Sequence, residues 1–268
     1  MEDPRLPPEL ESQIFLMALQ LNFSDIRNLL LIAKRVHAWL LPKAFEVAVL
    51  GIGRSFPITF TLEKFKRYGH YIRYLFLTAF ATQRETGRIM ALDYLSLCPN
   101  VINLSIRIPS LDPAALQSAL INLPLIRLSI HVDAILFVPP SPQLSELFSN
   151  LTHLHLYNTF DPARFADAQP PILRPLFPNL THIAFLYPHT RENLRLAIEG
   201  WDSLRVVLLW YLNAYLEGPI DAAVQPLHPR LVILGSTVMQ PWEDGARGRG
   251  QDIWEISERI VQSRIERK

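Results

Sequence analysis

The sequence contains a single cysteine, Cys98, among its 268 residues. One cysteine excludes a disulfide framework within the chain and a cysteine-rich metal site, and it suits a reducing compartment. An excess of either charge is also missing, because the formal net charge is +1. So small a charge gives no long-range field that would attract nucleic acid or an acidic membrane surface, and we expect neither as a partner.

The signals of catalysis, secretion and membrane insertion are missing too. The sequence has no phosphate-binding loop, no His-Glu-x-x-His, no Gly-x-Ser-x-Gly and no cysteine pair, so nothing in it indicates an enzyme or a cofactor. The N-terminus lacks the apolar core of a signal peptide. The most apolar run, residues 204–216, contains Arg205 and Asn213 and is too short to span a bilayer. We therefore expect a protein of the cytoplasm or the nucleus.

What the sequence does contain is a repeated strand motif. Residues 151–156 read Leu-Thr-His-Leu-His-Leu, and residues 180–185 read Leu-Thr-His-Ile-Ala-Phe. The underlying pattern is apolar-x-x-apolar-x-apolar. It also fits segments that begin at Ile72, Val101, Leu125 and Leu204, more weakly at Leu231, and as an earlier candidate at Phe45. Successive middle positions, from Leu75 to Leu234, lie about 24 to 29 residues apart, which is the period range of leucine-rich repeats.

The segments between the strands predict helices and turns. Asp112, Ser141 and Asp161 each precede a proline, a helix-start signal because the first turn does not need the N–H that proline lacks. Residues 190–200 predict a further helix. We therefore predict an α/β fold, a leucine-rich-repeat-like solenoid of stacked strand–helix units with one shared core. The alternative is an ordinary α/β domain whose parallel strands merely look alike. Buried parallel strands are usually continuous apolar runs, so the polar positions between the leucines favour a sheet with one open face.

Residues 6–45 depart from the repeat and predict three short amphipathic helices. Four apolar residues, from Leu10 to Leu21, fall on one face of the first helix, and the third helix is expected to end near Pro42. A bundle this small has little core of its own, so we expect it to lean on a neighbour or a partner.

This segment resembles an F-box. The motif residues are Leu6-Pro7-x-Glu9-Leu10, Ile14-Phe15, Asp25-Ile26-x-Asn28-Leu29 and Ile32-Ala33-Lys34-Arg35-Val36-x-x-Trp39. The resemblance implies docking onto the Skp-type adaptor of a Skp–cullin–F-box ubiquitin ligase, and leucine-rich repeats after an F-box are a familiar arrangement in that family. It assigns adaptor binding to Leu6, Pro7, Leu10, Ile14, Phe15, Leu29 and Ile32. The sequence does not separate those that bind the adaptor from those that hold the bundle together.

Three parts follow along the chain. We predict an F-box-like helical domain at 1–45, a leucine-rich-repeat-like solenoid at 46–239, and a loop with a C-terminal helix at 240–268. Residues 240–250 read as a flexible surface loop, and Asp252 is expected to cap a final helix that covers the last strand. The asparagine or cysteine ladder of regular leucine-rich repeats is absent, which leaves the regularity and curvature of the solenoid open.

Alternate strand residues predict a concave face that contacts a protein target. It mixes tyrosine, tryptophan and arginine, as protein-binding surfaces do. The residues predicted to contact the target are Tyr74, Arg107, Arg127, His131, His153, His155, Tyr157, His182 and Trp210. Two or three of the histidines would be close enough to bind zinc, because adjacent strands lie roughly 4.8 Å apart. The simpler interpretation is a Thr-His pair duplicated with the repeat, since no carboxylate or cysteine completes a metal site.

The leading hypothesis from the sequence is a non-catalytic subunit that recognises the substrate of a Skp–cullin–F-box ubiquitin ligase. It would hold the Skp-type adaptor through the N-terminal helices and a protein target, of unknown identity, through the solenoid. One alternative is a repeat-type protein-binding scaffold with no ubiquitin-ligase role. A more distant alternative is a metal-dependent enzyme built on the histidine face.

Overall fold

Among the residues that the structure describes, eight parallel strands form one sheet. They lie in the sheet in their order along the chain, and every neighbouring pair is parallel. The strands are β1 (Val47–Leu50), β2 (Tyr74–Thr78), β3 (Asn103–Arg107), β4 (Arg127–His131), β5 (His153–Tyr157), β6 (His182–Leu186), β7 (Val206–Tyr211) and β8 (Leu231–Gly235). The computed structural model describes residues 6–50, 61–78, 91–108, 111–131, 146–157, 174–186, 201–211, 228–235 and 239–266.

Helices accompany this sheet, so the predicted α/β class is confirmed. Those with described bounds are α1 (Pro8–Leu21), α2 (Ile26–Ile32), α3 (Lys34–Phe45), α4 (Leu62–Tyr68), α5 (Pro113–Leu120), α6 (Met239–Ala246) and α7 (Ile253–Ile265). Asp112 caps α5, as predicted, by accepting hydrogen bonds from the backbone N–H groups of Ala114 and Ala115. The predicted helix starts at Ser141 and Asp161, and the predicted helix at 190–200, lie outside the described residues.

The repeated apolar positions form a continuous row across the sheet. In strand order the row is Ala48, Leu75, Leu104, Leu128, Leu154, Ile183, Val207 and Leu231. All of these side chains are buried in one hydrophobic core. The predicted middle position of the last repeat, Leu234, is wrong, because β8 pairs Leu231 with Val207. Residues 231–234 are all apolar, so the pattern there does not fix the register.

Both faces of the sheet are covered. On one face the apolar row packs against Phe65 of α4, Leu116 and Leu120 of α5, and further connecting residues. On the other face lies the C-terminal arm, residues 239–266, which contains α6 and α7. The expectation of an open face is therefore wrong. Three polar residues on that face, Asn103, Arg127 and His182, contact polar groups of the arm.

Part of the predicted flexible loop at 240–250 is helical. Trp242 and Ala246 lie one turn apart on α6 and are both buried, which is the spacing of an amphipathic helix. The chain then turns at Gly248, where φ is 66°, a left-handed conformation that glycine adopts readily. Asp252 is the N-cap of α7 and forms a capping box with Glu255, so the predicted cap is confirmed.

The N-terminal helices α1, α2 and α3 pack around their own core. Its buried residues are Leu19, Ile26, Val36, Leu40, Ala44 and Phe45. The predicted end of the third helix near Pro42 is wrong, because α3 continues through Pro42 to Phe45. Phe45 stacks on Tyr68 with ring centroids 4.3 Å apart, so burial of this last turn offsets the hydrogen bond that proline removes.

Within the described parts of the chain, no single helix is long and apolar enough to cross a membrane. The segments Pro8–Leu21 and Phe23–Ile32 reach the required length and composition only as a pair, and they are bent by 116°.

Candidate functional site

The first candidate surface is an exposed apolar stripe on α1. Leu10, Ile14, Met17 and Leu21 are 48%, 51%, 61% and 87% exposed. Their spacing of three or four residues places them on one face of the helix. Leu19, on the opposite side, is buried in the bundle core. The predicted amphipathic stripe therefore exists, but it faces solvent, whereas the core is built from other residues.

Exposed apolar residues also occur just before α1 and at the end of α2. Of eleven exposed large hydrophobic side chains in the described residues, four lie elsewhere, at Leu62, Ile121, Ile126 and Ile265. The remaining seven form what we name the N-terminal apolar surface: Leu6, Leu10, Ile14, Met17, Leu21, Leu31 and Ile32. Exposed apolar patches mark sites of protein or membrane interaction, and all seven of these side chains fall within residues 6–32.

The structure divides the predicted adaptor-binding residues into two groups. Leu6, Pro7, Leu10, Ile14 and Ile32 are exposed. Phe15 and Leu29 are partly buried and pack against the bundle core, so their first role is to hold the helices together. Met17, Leu21 and Leu31 are exposed apolar residues that the motif did not single out, although the helical spacing of Met17 and Leu21 was visible in the sequence.

The second candidate surface is the predicted target-binding face, which the C-terminal arm covers. At the β1–β3 end, the Trp242 ring meets the Phe76 ring edge to face, with centroids 5.3 Å apart. Val47 and Val49 of β1 complete this apolar contact. The Trp242 indole N–H donates to Asn103 Oδ1 at 3.2 Å, so the polar strand residue is satisfied by the arm.

In the middle of the face, the start of α7 is held by charge. Asp252 accepts hydrogen bonds from the backbone N–H groups of Trp254 and Glu255, while its second carboxylate oxygen accepts from the Arg127 guanidinium. One carboxylate thus begins the helix and pairs with a strand. Because Asp252 contacts both the first turn of α7 and Arg127 of β4, it fixes the position at which α7 begins relative to the sheet.

Two histidines on β5 and β6 form the next contact. The rings of His153 and His182 are parallel within 8°, with centroids 4.1 Å apart. The Trp254 ring stands edge-on to both, at 5.2 Å and 5.8 Å. His182 Nε2–H donates to Glu258 Oε1 at 2.9 Å. The pair is therefore a stacked packing unit against α7.

The environment of this pair disfavours protonation. Burial, then the charges of His182 and Arg127, lowers the pKa of His153 to about 2. Burial also lowers the pKa of His182, and the opposing effect of Glu258 is smaller. Neutral rings can stack, whereas two imidazolium ions this close would repel each other.

A zinc site, the less favoured interpretation of these histidines, finds no support in this geometry. Nδ1 of His153 lies 2.7 Å from Thr152 Oγ1, and Nδ1 of His182 lies 2.7 Å from Thr181 Oγ1. The Thr-His pair thus forms a local hydrogen bond in both repeats, as the simpler interpretation had it. No group of three or more metal-binding side chains occurs in the described parts of the chain.

At the β6–β8 end the contact is apolar. Ile253, Trp254 and Val261 of α7 pack on strand residues of the same face. Those strand residues are Ala184, Val206, Leu208, Trp210 and Val232. The predicted covering of the last strand by the C-terminal helix is therefore only part of the contact, since α7 lies over several strands.

The predicted target-binding residues are consequently not an open surface. His155, Tyr157, His182 and Trp210 are buried. The partly exposed ones are Tyr74, Arg107, Arg127, His131 and His153. Contact of any of them with a target stays a prediction. The strand pattern could not predict that the C-terminal arm covers this face. The two tryptophans of the arm, Trp242 and Trp254, were nevertheless a sequence signal that this segment is buried.

Comparison with known proteins leaves the family open. No family model matches the chain, and no curated protein matches it either. The F-box resemblance therefore remains an interpretation of the motif residues.

Proposed function

We propose that the chain is the substrate-recognition subunit of a Skp–cullin–F-box type ubiquitin ligase and binds a Skp-type adaptor through α1 and α2. The observation that carries the proposal is the N-terminal apolar surface. Seven of the eleven exposed large hydrophobic side chains of the described residues belong to it, six of them in α1 and α2 and the seventh, Leu6, just before α1. Five of the residues that the F-box resemblance assigns to the adaptor are exposed there.

Energetics favour a partner for this surface. Full burial of one Leu, Ile or Met side chain contributes about 1.5–3 kcal/mol. Five of the seven side chains are 48% to 61% exposed, so a partner would gain roughly 1 kcal/mol from burying each of these. Leu21 and Leu31 are 87% and 84% exposed and would gain more. A few such anchors are enough to dominate an interface.

We further propose that the sheet belongs to a leucine-rich-repeat-like solenoid. Parallel strands in chain order, with one apolar row running through them, support this interpretation. A target protein would then be held on the same rigid body as the adaptor. Proximity alone would bring a target lysine near the ubiquitin-charged enzyme, so the chain itself needs no catalytic residue.

The alternative is a protein-binding scaffold without a ubiquitin-ligase role. The observation that favours it is the C-terminal arm, which occupies the face predicted to hold a target. In this alternative the N-terminal apolar surface binds a different protein.

Co-expression with a Skp-type adaptor, followed by size-exclusion chromatography, tests the proposal. The wild type should elute with the adaptor in a stoichiometric complex, and a Leu10→Ala, Ile14→Ala double variant should elute alone. Both positions are about half exposed, so the variant should keep its far-ultraviolet circular dichroism and its unfolding midpoint. Ile121→Ala is the matched control, because Ile121 is 47% exposed but lies just after α5.

The outcomes separate the two functions. A complex that Ile121→Ala keeps and the double variant loses supports the receptor. If the wild type is well folded but does not bind the adaptor, the proposed ligase subunit is refuted and the protein-binding scaffold is favoured. A complex that persists in the double variant means that the adaptor binds some other surface.

A further inference from the structure

A cleft of about 740 Å³, which we name the α7 cleft, lies between α7 and the amino ends of β7 and β8. Ligand pockets in proteins have volumes of roughly 300–1,000 Å³. The floor of the α7 cleft is apolar, because it is lined by the buried residues Leu204, Val206 and Val261. Ile265 also lines the cleft and is 53% exposed. The cleft therefore offers apolar surface that a ligand would bury.

Three arginines line the same cleft. Arg205 immediately precedes β7, Arg230 immediately precedes β8, and Arg259 lies on α7. Within the described parts of the chain, none of their guanidinium groups forms an ion pair. The α7 cleft thus presents charged N–H donors to which the chain supplies no anionic partner.

The backbone holds one of these arginines in place. Arg230 Nη1–H donates to the carbonyl oxygen of Leu204 at 3.0 Å and to that of Asp202 at 3.5 Å. Both acceptors are neutral, so they orient the guanidinium without balancing its charge. Both bonds also use the same nitrogen, which leaves the N–H groups of Nε and Nη2 for a ligand. Such an oriented donor loses little freedom on binding.

The carboxylates of the α7 cleft are arranged differently. Glu255 Oε2 accepts from the backbone N–H of Asp252 at 3.3 Å, and Glu258 Oε1 accepts from His182 Nε2–H at 2.9 Å. Asp202, the third carboxylate that lines the cleft, is exposed. Three carboxylates thus balance the three arginines in charge. A ligand with a single acidic group therefore fits better than a multiply charged anion such as a phosphate ester.

The α7 cleft is elongated along the helix. Glu255, Arg259, Gln262 and Ile265 line it at intervals of three or four residues, so they share one face of α7. From Glu255 to Ile265 this face is about 15 Å long, at 1.5 Å per residue. About four or five residues of an extended peptide have the same length.

We propose that the α7 cleft binds a short extended segment of a partner protein, with an acidic side chain on the arginines and an apolar side chain on the floor. The two oxygens of a carboxylate match the paired N–H groups of a guanidinium. The backbone N–H groups of the segment can donate to Asp202, whose carboxylate is exposed. That the segment belongs to a ligase target rests on the proposed function; the peptide site itself does not.

The test selects peptides from a displayed library of random heptapeptides on the full chain and then measures each enriched peptide by fluorescence anisotropy. We expect enriched sequences to combine an aspartate or glutamate with a large apolar residue. An Arg205→Gln, Arg259→Gln double variant should bind them about tenfold or more weakly, because charge-assisted hydrogen bonds are lost. Both side chains are exposed, so the variant should keep the unfolding midpoint of the wild type.

The matched control is an Arg67→Gln, Arg73→Gln double variant. Arg67 is exposed on α4 as Arg259 is on α7, and Arg73 is exposed immediately before β2 as Arg205 is before β7. The control therefore removes the same charge from equivalent positions elsewhere in the chain. It should bind the enriched peptides as the wild type does, whereas a general attraction for acidic peptides would weaken in both variants.

His182 provides an independent readout. Its ring donates to Glu258, a residue of the α7 cleft. Burial is the main cause that lowers the pKa of His182, and the charge of Arg205 is one of the further causes. A carboxylate bound at Arg205 would offset part of that charge. The ring nitrogen NMR signals of His182 should therefore shift when an enriched peptide is added, while those of His37, exposed on α3, should not.

Each result has a definite meaning. Binding that the control keeps and the Arg205, Arg259 variant loses supports the site. No enriched peptide, equal binding by wild type and that variant, or an unmoved His182 signal overturns it. Peptides that still bind after amides replace their acids overturn the carboxylate contact. Displacement by inorganic phosphate, but not by sodium acetate at the same concentration, overturns the choice of a carboxylate over a phosphate.

Two further measurements separate this site from the proposed function. Adaptor co-elution is measured on the Arg205, Arg259 variant, and peptide binding is measured on the Leu10→Ala, Ile14→Ala variant. We expect the first to keep the adaptor and the second to keep the enriched peptides. A wild type that binds the peptides but not the adaptor contradicts only the proposed function. A selection that enriches only peptides dependent on Leu10 and Ile14 overturns the α7 cleft as a site.

Discussion

Truncation of Trp254 decides whether the C-terminal arm is an integral part of the fold. Trp254 is buried between strand residues of the covered face and stands edge-on to His153 and His182. A tryptophan side chain buries about 150–250 Å². At about 25 cal/mol per Å² this corresponds to about 4–6 kcal/mol, and Trp→Ala substitutions in cores cost about 3–5 kcal/mol. We therefore expect Trp254→Ala to lower the free energy of unfolding by about 3–5 kcal/mol.

The assay is urea unfolding followed by far-ultraviolet circular dichroism and tryptophan fluorescence. If the arm and the sheet unfold together, the two probes report one midpoint, and the variant lowers that midpoint without changing its slope. Ile265→Ala is the control, since Ile265 is 53% exposed near the end of α7 and should cost less than about 1 kcal/mol.

The opposite result would have a clear structural meaning. A loss below about 1 kcal/mol for Trp254→Ala, or separate midpoints for the two probes, would show that the arm detaches from a sheet that stays folded. The covered face, with His155 and Trp210, would then be reachable by a target. The reasoning that the face is unavailable would be refuted.

Three further predictions follow from buried groups. His153 and His155 have pKa values lowered to about 2 and about 3, so the folded state binds fewer protons than the unfolded state below about pH 6.5. The free energy of unfolding is therefore highest above about pH 6.5 and decreases below it, by about 2 kcal/mol per histidine at pH 5. Gly69→Ala should lower the free energy of unfolding by about 1–3 kcal/mol, because a Cβ at position 69 would lie 2.1 Å from the Leu97 carbonyl oxygen. Burial raises the pKa of Cys98 to about 12, so a thiol reagent should label it only as fast as the chain unfolds.

Controls accompany these three measurements. His155→Phe should remove the part of the loss between pH 7 and pH 5 that His155 contributes, about 2 kcal/mol, and a midpoint that does not change with pH would contradict the buried neutral rings. Gly250→Ala should be nearly neutral, because the nearest atom to its Cβ is 3.5 Å away. Rapid labelling of Cys98 in native buffer, without urea, would contradict its burial.

The strand repeat was readable from the sequence because its physics is local. A parallel strand with one buried side repeats its apolar residues, and the row from Ala48 to Leu231 confirms that the repeats align. The helix start at Asp112 and the capping box at Asp252 were readable for the same reason, since a cap involves residues only two or three apart. The predicted register was wrong at Leu234, because residues 231–234 are all apolar and no pattern distinguishes one position from the next.

Exposure, in contrast, was decided by the tertiary structure. The sequence alone determined the α/β class, the positions of most strands and the amphipathic spacing of α1. It could not tell that Leu10 and Ile14 face solvent while Leu19 faces the core, because a helix shows which residues share a face but not what that face meets. Nor could it tell that Asn103, Arg127 and His182 contact Trp242, Asp252 and Glu258. These partners are distant in sequence, and only the packing of the C-terminal arm on the sheet brings their complementary groups together.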